Sequence, residues 1–245
     1  MPATWNGTLS TGRSEPLAIP GLAWPIELRP HPRARAIRLR LDEARERLVL
    51  TFPRRMSRRT ALDWAAGQGA WVDRQLAMVQ PGEPFAPGTE IPFEGRAIEL
   101  QWDERLPRTP RLSGDILACG GPVIGFAGRI ERFLKAKARA RLSEATAEIA
   151  RTAGVTVKSV SIGDAGSRWG SCSSSGRIRL SWRLILAPPE VRRYVVAHEV
   201  AHLRHLNHGP EFKTLEARLF GPGLAEARSK LKRVGPRLRL IGPRR

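Results

Sequence analysis

The run His198-Glu199-Val200-Ala201-His202-Leu203-Arg204-His205-Leu206-Asn207-His208 holds four of the five histidines in a chain of 245 residues. Ahead of it, Pro188-Pro189 suit the first turn of a helix. Val191, Tyr194 and Val195 supply a buried stripe, which predicts a helix running to about Leu206. Positions i and i+4 of a helix lie one turn apart on the same face, so His198 and His202 can reach one ion. Zinc (Zn²⁺) takes imidazole nitrogens at about 2.0–2.1 Å, the ligand type this pair supplies. Glu199 is adjacent in sequence but rotated away. It is placed to take a proton from activated water rather than to ligate. The pattern predicts a zinc-dependent hydrolase.

A catalytic site of this kind needs a third protein ligand. His205 lies seven residues after His198, about 10.5 Å along a straight helix, too far to share the ion. His208 follows the predicted helix end and precedes the Gly209-Pro210 break, so the chain there can fold back. His208 is the preferred ligand, with Glu211 and Glu216 as fallback carboxylates. His205 is expected near the surface or behind the ligands, and His31 is expected to be inert. Cys172 reads as a small buried hydrophobe, with a soft ligand or inhibitory thiolate as the alternative. Cys119 carries no signal.

Outward from this run, the residues before it alternate between strand and helix patterns. Met1 to about Ile19 is rich in Gly, Ser, Thr and Pro and is expected to be an N-terminal arm. Residues 24–52 read as strands, with alternation across Ala36–Leu41 and an apolar run at Leu48–Phe52. Ser57 can cap a helix reaching Leu76, which Gly67 and Gly69 weaken. Glu90–Phe93 and Ala97–Trp102 read as strands joined at Glu94-Gly95. Gly120-Gly121-Pro122 reads as a domain boundary. A long helix then spans about Phe126 to Thr152, with Gly154 at its stop. Val155–Ile162, a Gly/Ser loop at 163–176 and the strand Arg177–Trp182 lead into the histidine helix. A last short helix is predicted over Glu211–Phe220. The expected division is an arm at 1–19, a strand-rich region at 20–120 and a hydrolase domain at 122–240.

Composition narrows the class. The hydrophobic fraction is 41% and there are only two cysteines, which argues for a folded core without a disulfide framework. The stretch from Met1 to Pro30 has no apolar core of signal-peptide length, and no run approaches a membrane span. The expected compartment is the cytoplasm. Lys and Arg number 42 against 23 Asp and Glu, a net charge of +19. Such a field attracts nucleic acid or nucleotides, although no helix-turn-helix pattern and no basic-aromatic stacking platform is evident in the order of residues.

Arg168-Trp169-Gly170-Ser171-Cys172-Ser173, Arg177–Leu184, Ala187-Pro188-Pro189-Glu190 and His198–His202 with Asn207-His208 and Phe212 together resemble the YgjP-like metallopeptidase family. The match is dense over about 160–215 and looser over roughly 24–102. The resemblance implies an α+β chain: a strand-rich N-terminal part, then a minimal zincin-like domain similar to the WLM and SprT-like proteases, with a small twisted sheet on the HExxH helix. It implies zinc held by His198, His202 and His208, with Glu199 as the catalytic base and a protein or peptide substrate. Arg168 and Trp169 are the candidate substrate-binding residues, with Trp169 and Trp182 most simply read as core. Ser181 stands where relatives often have Asn, and Asp164-Ala165-Gly166-Ser167 lacks the Lys that many carry. For some bacterial relatives the resemblance also implies a nucleoside-triphosphate (UTP) pyrophosphohydrolase on the same site. The net charge of +19 leaves a further alternative, a nucleic-acid-binding protein whose metal is structural or whose protease acts only on DNA-bound partners.

Overall fold

Period-2 alternation in the first third of the chain becomes three short strands packed on two helices. The computed structural model describes residues 16–78, 82–164 and 168–243. Most of the expected N-terminal arm, and Ala165–Ser167, lie outside them. The chain divides into two compact units, 1–81 and 82–243.

In the first unit β1 (Ile26–His31), β2 (Arg38–Asp42) and β3 (Arg47–Pro53) form a sheet ordered β1-β3-β2. β1 runs parallel and β2 antiparallel to the central β3. Ser57 caps α1 (Arg58–Ala66) as its Oγ accepts from the Thr60 amide at 3.0 Å. The single helix expected here breaks at Gly67-Gln68, and α2 (Gly69–Ala77) follows. Leu48, Leu50 and Phe52 of β3 are buried with Ala61, Ala65 and Val72 of the helices.

The second unit opens with β4 (Glu90–Phe93), β5 (Arg96–Trp102), β6 (Arg111–Ser113) and β7 (Ile116–Cys119), in the order β4-β5-β7-β6. Gly120-Gly121-Pro122 lies inside this unit rather than between domains. The reason is shared burial: Leu100, Leu117 and Cys119 occupy one apolar core with Phe126, Ile130 and Leu134 of α3 (Phe126–Ala153). The chain parts instead at the Pro/Gly stretch near 81. α3 ends where predicted, with Gly154 left-handed at φ 62°.

After α3 come β8 (Ser159–Gly163), β9 (Gly170–Cys172) and β10 (Arg177–Ser181), ordered β8-β10-β9. β9 was expected as loop. Its three small residues have no strand propensity, and it exists through antiparallel pairing with β10. Trp182–Ile185 form a buried 3₁₀ turn leading to α4 (Pro189–Ala201), α5 (Pro210–Phe220) and α6 (Leu224–Leu238). α4 packs against α3, α5, α6 and β9. α6 lies beyond the predicted helices. Ala227 and Leu238 are its buried apolar residues, and Leu231 and Val234 pack against the core. The chain is therefore α+β, with its small three-stranded sheet on the histidine helix. Among the described residues no helix is long and apolar enough to cross a membrane.

Candidate metal centre

α4 is amphipathic in an unusual sense: one side is core, and the other ends in the two histidines. Val191, Tyr194, Val195, Val196, Ala197, Val200 and Ala201 are buried, which sets the rotation of the helix. His198 and His202, one turn apart, emerge together with rings 4.8 Å apart. The helix ends earlier than the periodicity predicts, at Ala201 with His202 as its cap. That early end decides the site. A helix continued to 208 would carry His208 about 15 Å along the axis from His198. Instead the chain turns, and His208 Nε2 comes within 3.3 Å of His198 Nε2.

The three imidazoles gather their candidate ligand atoms within 4.8 Å of one another. Two of them are oriented through the other ring nitrogen. His198 Nδ1 lies 2.7 Å from Oε1 of Glu216, and His202 Nδ1 lies 3.0 Å from the His205 carbonyl. A carbonyl or carboxylate oxygen only accepts, so both neutral rings carry their proton on Nδ1 and leave Nε2 bare. The donor set fits a metal. Two nitrogens bound at 2.0–2.1 Å to one tetrahedral ion would stand about 3.3–3.4 Å apart, the separation seen between His198 and His208.

Phe212 backs the cluster. It is 1% exposed, and its ring centroid lies 5.1, 4.6 and 4.8 Å from those of His198, His202 and His208. Phe212 and Glu216 are one turn apart on α5, so a single helix face supplies both the packing wall and the acceptor. Glu216, a fallback ligand on sequence grounds, thus contacts the far nitrogen of His198. Glu211 is highly exposed and meets His205 Nδ1 at 3.4 Å. The i, i+4 spacing of Phe212 and Glu216 was the available signal for this wall.

Glu199 is 5% exposed. Burial pushes its carboxyl pKa up to about 7, against the pull of the Arg168 charge. β9 comes so close that a Cβ on Gly170 would fall 2.5 Å from Glu199 Oε1 and 2.6 Å from Cγ. Only glycine admits this approach without displacement of the carboxylate. Burial also lowers the His202 pKa, which favours the neutral ligand form.

Comparison with family models matches residues 35–234 to YgjP-like, metallopeptidase domain. The chain belongs to the YgjP-like family. A crystal structure of the metallopeptidase zymogen of Methanocaldococcus jannaschii jannalysin is similar over 38% of this chain and 94% of that chain, with 19% identity and a TM-score of 0.34. Comparison with curated proteins gave no match. Membership of a metallopeptidase family and the three-histidine cluster together imply a bound metal.

The remaining candidates of this YgjP-like chain are spread around the centre. Arg168 is exposed and acts on Glu199 through its charge. Trp169 is partly buried: Arg239 lies 4.5 Å over its ring, and a Cβ on Gly235 would lie 3.2 Å from its Cζ2. Trp182 is a core residue at 0% exposure. The Cys172 thiol donates to the Ser173 carbonyl at 3.5 Å, and burial, with help from Glu199, raises its pKa away from the thiolate. His205 contributes its carbonyl to the site. His31 is exposed, and its Nδ1 accepts from the Arg33 amide.

Proposed function

We propose that this chain is a zinc-dependent metallopeptidase, with His198, His202 and His208 as ligands and Glu199 as the general base. The observation that carries the reading is the gathering of three imidazoles, two with Nδ1 held against an oxygen acceptor, next in sequence to a buried carboxylate. Bound zinc supplies Lewis acidity, lowering the pKa of water to about 7 and polarising a peptide carbonyl. Glu199 takes the proton of the attacking water as its oxygen bonds to the carbonyl carbon. When the C–N bond breaks, the same carboxyl passes that proton to the leaving amine. Arg168 favours the ionised form needed at the start of the cycle.

The substrate would lie as an extended strand against β9, the outer strand of its sheet on the α4 side. β10 (Arg177–Ser181), within the strand expected from sequence, is the centre of this sheet. Gly170 keeps the edge close to Glu199. The test is Glu199→Gln. It should bind one zinc per chain as the parent does and lose cleavage of a fluorescently quenched unfolded protein. Normal cleavage by the mutant would remove Glu199 from its role. Pyrophosphate release from UTP, lost in the mutant and unaccompanied by peptide cleavage in the parent, would replace the peptidase reading.

A further inference from the structure

The first unit has a surface that the hydrolytic site does not use. β2 is an outer strand of its sheet. At the opposite edge, Leu17 pairs with Ile26 of β1, whereas no described residue pairs with the outer side of β2. Alternate residues of such a strand offer N–H and C=O groups to solvent. The strand is neither interrupted by proline nor shortened, and its five residues span about 17 Å at 3.4 Å each.

A cleft of about 550 Å³ lies against β2, lined by Arg38, Leu39 and Arg40, by Thr51 of β3 and by Trp64 and Trp71 of the helices. A second hollow of about 330 Å³ shares Leu39, Arg40 and Trp71 and reaches Met78. Trp64 is 38% exposed and Met78 65%, and no other large apolar side chain among the unit's described residues is as open. The charge beside the cleft is predominantly positive, with Glu43 in the wall of the second hollow. Glu27 is taken up by Arg29 and Arg47, and Asp42 by Arg45 and Arg47. Arg38 and Arg40 are exposed, and no described carboxylate pairs with either.

We infer that β2 and this cleft form a docking site for an extended acidic peptide segment. The segment pairs with β2 by strand addition, places carboxylates on Arg38 and Arg40, and lays apolar side chains against Trp64, Trp71 and Met78. A hydrogen-bonding edge, an apolar wall and a two-residue spacing of positive charge match the repeat of a strand. Single-stranded nucleic acid is the competing ligand. It would need aromatic faces open for stacking, whereas these indoles are more than half covered. The inference does not depend on the metal centre, and either can fail alone.

The test uses the full chain and a fluorescein-labelled octapeptide alternating Glu with Val and Thr, followed by polarisation. Its Lys-for-Glu counterpart and a labelled oligo-dT are run beside it. The acidic peptide should bind and the lysine peptide should not. Arg38→Glu/Arg40→Glu should weaken acidic-peptide binding at least tenfold, and the parent complex should slow amide exchange in β2. Trp64→Ala should weaken it too. The charge reversal lies on exposed side chains and serves alone if the tryptophan variant does not fold. Equal binding of both peptides, indifference to the double charge reversal, or oligo-dT binding that this reversal abolishes without any acidic-peptide binding would overturn the inference.

Discussion

Replacing Glu216 with Gln isolates what α5 does for the metal centre. The parent contact, 2.7 Å between His198 Nδ1 and Glu216 Oε1, sits at the short end of the charge-assisted range. Glu216 is 6% exposed, so water does not readily take its place. Glutamine keeps the size but removes the negative charge, and its amide can present N–H instead of oxygen. The imidazole then loses its preference for a proton on Nδ1 and with it the orientation that presents Nε2. Loss of such a partner costs about 10–100-fold in metal affinity, or roughly 1.4–2.7 kcal/mol. The assay is zinc competition against a chromophoric chelator at neutral pH. Stabilisation by saturating zinc should shrink by the same amount, because it varies as RT ln([Zn]/Kd). Zinc affinity within twofold of the parent, in a mutant that folds normally, would refute the orienting role.

Gly170→Ala should lower turnover about a hundredfold, the scale of a 1 Å misplacement of a catalytic group, while zinc content stays at the parental value. The added Cβ would fall 2.5 Å from Glu199 Oε1; parental turnover would mean the carboxylate has slack. Arg183→Met should destabilise the chain by about 3–5 kcal/mol in urea titrations. Arg183 is 4% exposed, and its guanidinium bonds Asp164 at 2.9 Å and the carbonyls of Leu238, Ile241 and Pro243, all of which would be left without it. Glu27 gives an acid-side signature. Its pKa is lowered, first by its hydrogen bond from Arg29, so its contribution is complete above the ordinary value of 4.5 and is lost as pH falls through the folded pKa. Glu27→Gln should therefore be less stable than the parent at neutral pH and converge with it in acid. Parallel stability curves would show that the Arg29 and Arg47 contacts contribute nothing.

Much of the local structure was legible from residue order. Ser57 as a cap, the stop of α3 at Gly154, the hairpin at Glu94-Gly95 and the helix opening at Pro188-Pro189 are set by interactions within a few positions. His198 and His202 belong to the same class, since helical pitch alone brings them together. Other elements needed their neighbours. Gly170–Cys172 has no intrinsic reason to be a strand until β10 lies beside it. Gly120-Gly121-Pro122 looks like punctuation between domains, yet the strands before it and the helix after it bury the same core.

The composition and spacing of residues 198–208 were enough to predict a metal-handling helix and to rank His208 above His205, because both follow from the geometry of a single segment. What they could not determine was where the helix would stop, or what would stand behind the rings. The stop at Ala201 and the His205 carbonyl on His202 belong to the turn after α4, and Phe212 with Glu216 comes to the back of His198 through packing of α5 on α4. Those contacts join residues up to 18 positions apart, and their burial becomes favourable only when the whole core closes around them.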